Sequence, residues 1–208
     1  MKMKIACMAW AFLIAGALTI ATPQGASAQG NDQDFVIGMT LIGIGTVDQM
    51  DDARNAFTLQ TDVTGVGSFY AEWYLLGRLG ISYRFTTTGI KEEGNILGFT
   101  YSNEIRTTSH IMAANFMPWI SSDGYMRAIL VGGVGPSTYT FTQSAGGTTV
   151  SASASGNALL GQAAIDWGGE SFGARFGFGV MKTTYDQIGA ATVDESNKHF
   201  NLDLRWAF

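Results

Sequence analysis

Few residues in this chain have the means to do chemistry. There are two histidines, His110 and His199, one cysteine, Cys7, and a thin scatter of acids and arginines. Ser109 beside His110 invites comparison with a nucleophile and its base, which must lie within hydrogen-bond reach with an acid orienting the base. Neighbours on a strand point to opposite faces, so these two cannot serve each other, although another serine could approach His110 in space. Two histidines without a second sulfur ligand make a poor zinc set. Asp48, Asp51 and Asp52, or Glu92 and Glu93, offer oxygen ligands but lack the spacing of a calcium loop and read as solvated acids. No catalytic residue, metal or cofactor is therefore expected. The charged residues that do form a pattern are Glu72, Arg84, Asp166, Arg175, Asp203 and Arg205, because each falls on the row opposite an apolar one.

That pattern has a period of two. In the last nine residues Phe200, Leu202, Leu204, Trp206 and Phe208 share one face, while Asn201, Asp203, Arg205 and Ala207 share the other, with His199 extending that row. A helix would mix these sets, so they define a strand. The alternation recurs through Phe69 to Tyr74, Leu79 to Thr86 and Phe172 to Met181, and more weakly through His110 to Phe116 and Leu159 to Trp167. Phe35 to Thr46 and Tyr125 to Gly135 are apolar or glycine on both faces and cannot be oriented. Eight strands are expected, with 27 glycines and 3 prolines as the vocabulary of strands and turns.

The connections fall into two lengths. Leu76 to Arg78, Pro118 to Gly124 and Trp167 to Glu170 are short; Asp48 to Gly65, Thr87 to Asn103, Pro136 to Gly156 and Thr183 to Asn197 are long and polar. Strict alternation of the two implies an up-and-down meander with the long loops at one end and both termini at the other. Trp73, Trp119, Trp167 and Trp206 all lie beside a short turn or at the C-terminus, as an aromatic girdle at one membrane interface requires. Such a barrel exposes its apolar row to lipid and encloses its polar row. The expected interior network is Glu72, Arg84, Gln162, Asp166, Arg175, Asn201, Asp203 and Arg205, with Gly173, Gly177 and Gly179 leaving room for the long side chains.

The N-terminus is read as an address. Lys2 and Lys4 precede an apolar run from Ile5 to Ile20, and Ala26-Ser27-Ala28 forms a small-x-small cleavage site, so residues 1–28 are expected to be a signal peptide. The mature domain, 29–208, then loses two of 12 basic residues against 17 acids, a formal charge of −7, which argues against nucleic acid as a partner. It would also lose Cys7, and with it any disulfide or thiol chemistry. Beyond residue 28 no apolar stretch is long enough for a spanning helix.

The closing strand ending on Phe208, with Trp206, Leu204, Leu202 and Phe200 at two-residue steps, resembles that of the small eight-stranded outer membrane barrels, typified by the OmpA transmembrane domain and OmpX. The hairpin from Glu72 to Ile81 is similar to their second hairpin. The resemblance covers the whole mature chain and implies an all-β, up-and-down antiparallel transmembrane barrel. It also implies that Phe200, Leu202, Leu204, Trp206 and Phe208 form a signal read by the outer-membrane assembly machinery. The partners implied are that machinery and outer membrane lipid, in the bacterial outer membrane.

Fold does not fix activity. The leading expectation is a non-enzymatic barrel with a structural or surface-interaction role through its long outer loops. The loop Ser144 to Gly156, low in complexity, is one place where an unknown surface ligand would sit. A narrow passive pore, an enzyme acting on outer-membrane lipid, and a soluble periplasmic barrel around an apolar ligand remain alternatives. The soluble barrel would turn the same alternation inside out.

Overall fold

Eight antiparallel strands, each hydrogen-bonded to its neighbours in sequence, close into a barrel in the computed structural model, which describes residues 34–49, 63–75, 77–96, 99–169, 171–185 and 194–208. The strands are β1 (Asp34–Gln49), β2 (Val63–Tyr74), β3 (Leu79–Ile96), β4 (Phe99–Ile120), β5 (Met126–Ala145), β6 (Thr148–Gly168), β7 (Phe172–Tyr185) and β8 (Asp194–Ala207). Residues 1–33, which include the expected signal peptide, and the connections 50–62 and 186–193 lie outside the described residues. β8 closes on β1 from Glu195 opposite Gln49 to Ala207 opposite Val36. Phe208 completes the seam, its N–H donating to the Phe35 carbonyl at 2.9 Å.

The direction of the alternation decides what kind of barrel this is. Along β7, Gly173, Arg175, Gly177, Gly179, Met181 and Thr183 are buried, and Phe172, Phe176, Phe178 and Val180 are exposed. Along β8, Glu195, Asn197, His199, Asn201, Asp203 and Arg205 are buried, while Phe200 is exposed. A soluble barrel hides its phenylalanines and wets its arginines, and this one does the reverse. The outward row continues with Ile81, Met112, Leu130, Leu159 and Ile165, all exposed. A belt so apolar needs lipid around it, and closure leaves no unpaired strand edge within that belt.

Two of the connections expected to be long loops are mostly strand. Thr87 to Asn103 is absorbed by β3 and β4, which stay paired up to Ile96 opposite Phe99. Pro136 to Gly156 is absorbed by β5 and β6, paired up to Ala145 opposite Thr148. The apparently loose Ser144 to Gly156 stretch is thus one arm of a hairpin. Its tip is Gly146-Gly147, both at positive φ (56° and 85°), the conformation a two-residue hairpin turn requires and glycine accepts without strain. Toward this tip the threonine and serine pairs suit a ladder that is wet on both faces, where no apolar row marks the strand.

At the other end the turns are tight. β4 runs past Pro118 across an irregularity between Phe116 and Trp119, so the turn narrows to Ser121–Tyr125. There Asp123 accepts from the Ser121 hydroxyl at 2.5 Å and from the Tyr125 N–H at 3.1 Å. These bonds, the serine's first, hold its carboxyl below the usual aspartate range. β6 continues to Gly168, shortening the next turn likewise, and of the first turn Leu76 lies outside the described residues.

The unorientable β1 has a physical explanation. Its register against β8 slips between Thr40 and Ile42, and Leu41 and Ile42 both face outward. A bulge therefore reverses the alternation midway. Below it, Gly38 lies under the Tyr70 ring so closely that a Cβ would overlap the ring. Gly38→Val is expected to destabilise the barrel by about 1–3 kcal/mol through overpacking, read as a lower urea midpoint in detergent. Gly132→Ala, whose Cβ meets nothing within 4 Å, is the matched control and should leave the midpoint in place.

Candidate functional site: the polar lumen

The inward rows of β2, β3, β6, β7 and β8 bring their charges to one side of the lumen. Arg175 sits at the centre and is fully buried. Its Nη1 and Nη2 donate to Glu72 Oε1 and Oε2 at 2.6 and 2.8 Å. Its Nε and Nη2 donate to Asp166 Oδ1 and Oδ2 at 2.5 and 3.0 Å. One guanidinium thus holds two carboxylates through paired bonds, the geometry in which arginine exceeds lysine. Arg84 Nη2 donates to the same Glu72 Oε1 at 2.5 Å, and Arg205 Nε lies 3.2 Å from Asp166 Oδ2.

The chain of contacts continues through neutral groups. Arg84 Nη1 donates to Gln162 Oε1 at 2.7 Å, Gln162 Nε2 to Asn201 Oδ1 at 2.9 Å, and Asn201 Nδ2 to Asp203 Oδ2 at 2.6 Å. Thr40 Oγ1 donates to Asp203 Oδ1 at 2.9 Å and shares a bond with Ser68. The eight residues placed on the inward row by alternation therefore meet in one connected set. Glu72 and Asp166 are paired with Arg84, Arg175 and Arg205, Asp203 is held by Thr40 and Asn201, and Arg127 stands opposite Asp166 on β5. Buried ions left unpaired are costly, so the set acts as a unit.

Sequence reasoning missed the aromatic part of this set. Tyr70, fully buried on β2, lies between two guanidinium groups, with Arg84 and Arg175 each over its ring at 4.7 and 4.6 Å from the centroid. Tyr74 donates to Glu72 Oε2 at 3.2 Å. Both lie on the same inward row as Glu72, two residues to either side, so the alternation contained the signal. The interior is also less polar than expected. Ile111, Met117, Ile129, Val131 and Met181 are buried and share a core cluster with Tyr70 and Tyr74. This is why β5 looked apolar on both faces: one row meets lipid and the other this core.

The residues with catalytic potential are not assembled. Ser109 faces inward and bonds to Ser137 at 2.9 Å, while His110 faces outward. His110 Nδ1 is engaged by the Tyr83 hydroxyl at 2.6 Å, with the Phe85 ring edge-on at 5.2 Å. His199 is buried in the lumen near a cavity of about 10 Å³ bordered by Arg84, Gln162 and Asn201. That is room for about one water molecule and no substrate. Among the described residues no group of three or more histidines or acids is placed to hold a metal.

Trp73, Trp119 and Trp167 are exposed, Trp206 is half-exposed, and all four stand at the short-turn end. On the outward side of β8, Phe200 is exposed and Leu202, Leu204 and Trp206 are half-exposed, with Trp206 against Phe172 at 5.6 Å between ring centroids. Phe208 packs 6.3 Å from Phe35 across the closing seam.

A closed eight-stranded barrel with an apolar belt outside and paired charges inside is a transmembrane β-barrel of the outer-membrane type. Solved structures share this fold. The chain is similar to Ail, the attachment invasion locus protein of Yersinia pestis, at 12% identity with a TM-score of 0.58, covering 85% of this chain and all of that one. It is similar to Neisserial surface protein A at 10% identity with a TM-score of 0.56, covering 86% of this chain and all of that one. No protein-family model and no curated protein matches the sequence.

Proposed function

We propose that this chain is a non-enzymatic surface-interaction barrel of the bacterial outer membrane, exported by a signal peptide cleaved after Ala28. The tryptophans at the short-turn end would anchor it at the inner interface of that membrane, and the strand from Phe200 to Phe208 would guide its assembly.

One observation carries the surface role. β3 to β6 remain paired well above the ring: β4 and β5 up to Tyr101 opposite Ala145, and β5 and β6 up to their turn. Among the described residues, pairing of β6 with β7 reaches Gly156 opposite Tyr185, and that of β2 with β3 reaches Gly65 opposite Gly89. A four-stranded sheet among the described residues therefore stands above the barrel with two edges. The β3 edge carries Lys91 and Glu93, joined as an ion pair. The β6 edge, Thr148 to Ser155, carries no charge and no proline, and among the described residues no strand pairs with it on that side. Proteins guard exposed edges with charge or proline, and a bare one is suited to receive an extended segment of another chain.

The Ail structure was obtained in complex with a heparin analogue, sucrose octasulfate. A polyanion suits this chain poorly, because Lys91 and Arg106 on the protruding sheet are each paired with a glutamate. The lumen, filled by the arginine set and the apolar cluster, likewise weighs against a pore. The test is adhesion of bacteria displaying the protein to surfaces coated with extended polypeptide. Val150→Lys with Ala152→Lys, which charges the bare edge, should reduce adhesion several-fold with the amount of heat-modifiable barrel unchanged. Undiminished adhesion would remove the edge from the proposal.

A further inference from the structure

Above the arginine set the lumen changes character. Inward residues Ile111, Leu160 and Met181 form an apolar floor, and Ile105, Phe141 and Ala154 an apolar ceiling. Between them lies a polar layer built almost wholly of oxygen donors and acceptors: Thr107, Ser137, Thr183, Tyr185, Glu195 and Asn197, each at most 3% exposed. Strand order explains the convergence. Thr183 stands directly opposite Glu195 across β7 and β8, and Asn197 follows Glu195 on the same inward row. Thr107 reaches across the lumen from β4, its hydroxyl donating to Glu195 Oε2 at 2.8 Å, and the Tyr185 hydroxyl lies 3.2 Å from the same oxygen.

Two features of this layer are unaccounted for by the bonds within it. Glu195 is its one carboxylate, and among the described residues no lysine or arginine forms an ion pair with it; Asp203 lower in the lumen is likewise held by neutral groups, whereas Glu72 and Asp166 are paired with arginine. Asn197 is fully buried, yet neither its amide oxygen nor its amide nitrogen has a hydrogen-bond partner. A buried side-chain amide normally satisfies both, and a buried carboxylate is normally paired.

We propose that this sealed layer binds one small monovalent cation, held by the Glu195 carboxylate and neighbouring hydroxyl and amide oxygens, Asn197 among them. Oxygen ligands select a hard cation. A single carboxylate amid neutral oxygens balances one positive charge, whereas tight divalent sites gather several carboxylates. This inference does not depend on the surface role proposed above, only on the closed barrel.

The purified mature protein, refolded in detergent, would be melted at constant ionic strength in sodium, potassium, calcium or N-methylglucamine chloride. Loss of the fast-migrating compact form is the readout. Sodium or potassium should raise the midpoint by about 3 °C or more over the bulky N-methylglucamine, saturating as a single site does. Glu195→Gln should melt alike in all the salts, and Asn197→Ala should need more cation for the same rise. Equal midpoints for the wild type in every salt would overturn the proposal and mark a carboxyl neutralised by a proton instead. A rise that survives in Glu195→Gln, or a larger one in calcium, would overturn it too. If Glu195→Gln does not refold, the wild-type titration with Asn197→Ala decides. Absence of any compact form would instead indict the barrel assignment.

Discussion

Arg175→Glu is expected to abolish the compact, heat-resistant form of this protein. Arg175 makes four hydrogen bonds to two carboxylates, and it packs against Tyr70 as well. Removing one member of a buried ion pair costs about 3–5 kcal/mol, because the partner is left charged and dry. Reversal does more: it sets a third carboxylate beside Glu72 and Asp166, leaving Glu72 to Arg84 and Asp166 to Arg205, with Arg127 across from Asp166 on β5. That is comparable with the whole stability of a domain, about 5–15 kcal/mol. Arg175→Lys keeps the charge but cannot reproduce the paired bonds, so an intermediate loss is expected. Arg106→Glu is the control. Arg106 pairs with Glu104 in solvent, at 61% side-chain exposure, and such pairs contribute about 0–1 kcal/mol. Comparing boiled and unboiled samples on detergent gels, then urea midpoints for those that fold, separates the three. A compact Arg175→Glu barrel with an unchanged midpoint would show that the lumen charges are solvated and independent.

How much of this was legible in the residues follows from where the alternation is clean. β7 and β8 carry large apolar side chains on one row and charges or glycine on the other, so their strand character and the set around Arg175 could be read directly. What the alternation could not say was which row faces inward, since a soluble barrel uses the same period; burial of Arg175 and exposure of Phe178 answered that. β1 was illegible because the bulge at Leu41 shifts the phase, and β5 because its inward row packs on Ile111 and Met181 while its outward row meets lipid. The protruding hairpins failed for a third reason. From Thr148 to Ser153 both faces are exposed, so threonine, serine and alanine leave no apolar row there, although Phe141 and Ala154 nearer the ring are buried. Tyr70 carries no charge to mark it on the inward row, and its place between two guanidinium groups, where a ring stabilises both, emerges only when β3 lies beside β2 and β7 faces it across the lumen. The Glu195 layer depends on β4 facing β7 and β8 across the lumen, which no single strand displays.

The orientation itself is tested most directly on the outward row. Phe178 is 56% exposed, in mid-row on β7 between Phe172 at the short-turn end and Lys182 near the opposite one. In water, replacing an exposed phenylalanine with arginine is nearly neutral, commonly within 0.5 kcal/mol. In a bilayer the same change drives a guanidinium against hydrocarbon at a cost of about 2–4 kcal/mol at the midplane, falling to about 0–1 near the interfaces. Phe178→Arg is therefore expected to lower the stability of the protein in lipid vesicles by about 2–4 kcal/mol. Phe172→Arg, beside Trp206 at the short-turn end, should cost about 1 kcal/mol or less. The graded response matters more than either value, because desolvation by lipid depends on depth and desolvation by a protein core does not. Equilibrium unfolding by urea in vesicles measures both. Equal, small losses at the two positions would mean that water, not hydrocarbon, surrounds these rings, and the charges inside would then need a different explanation from a lipid-enforced one.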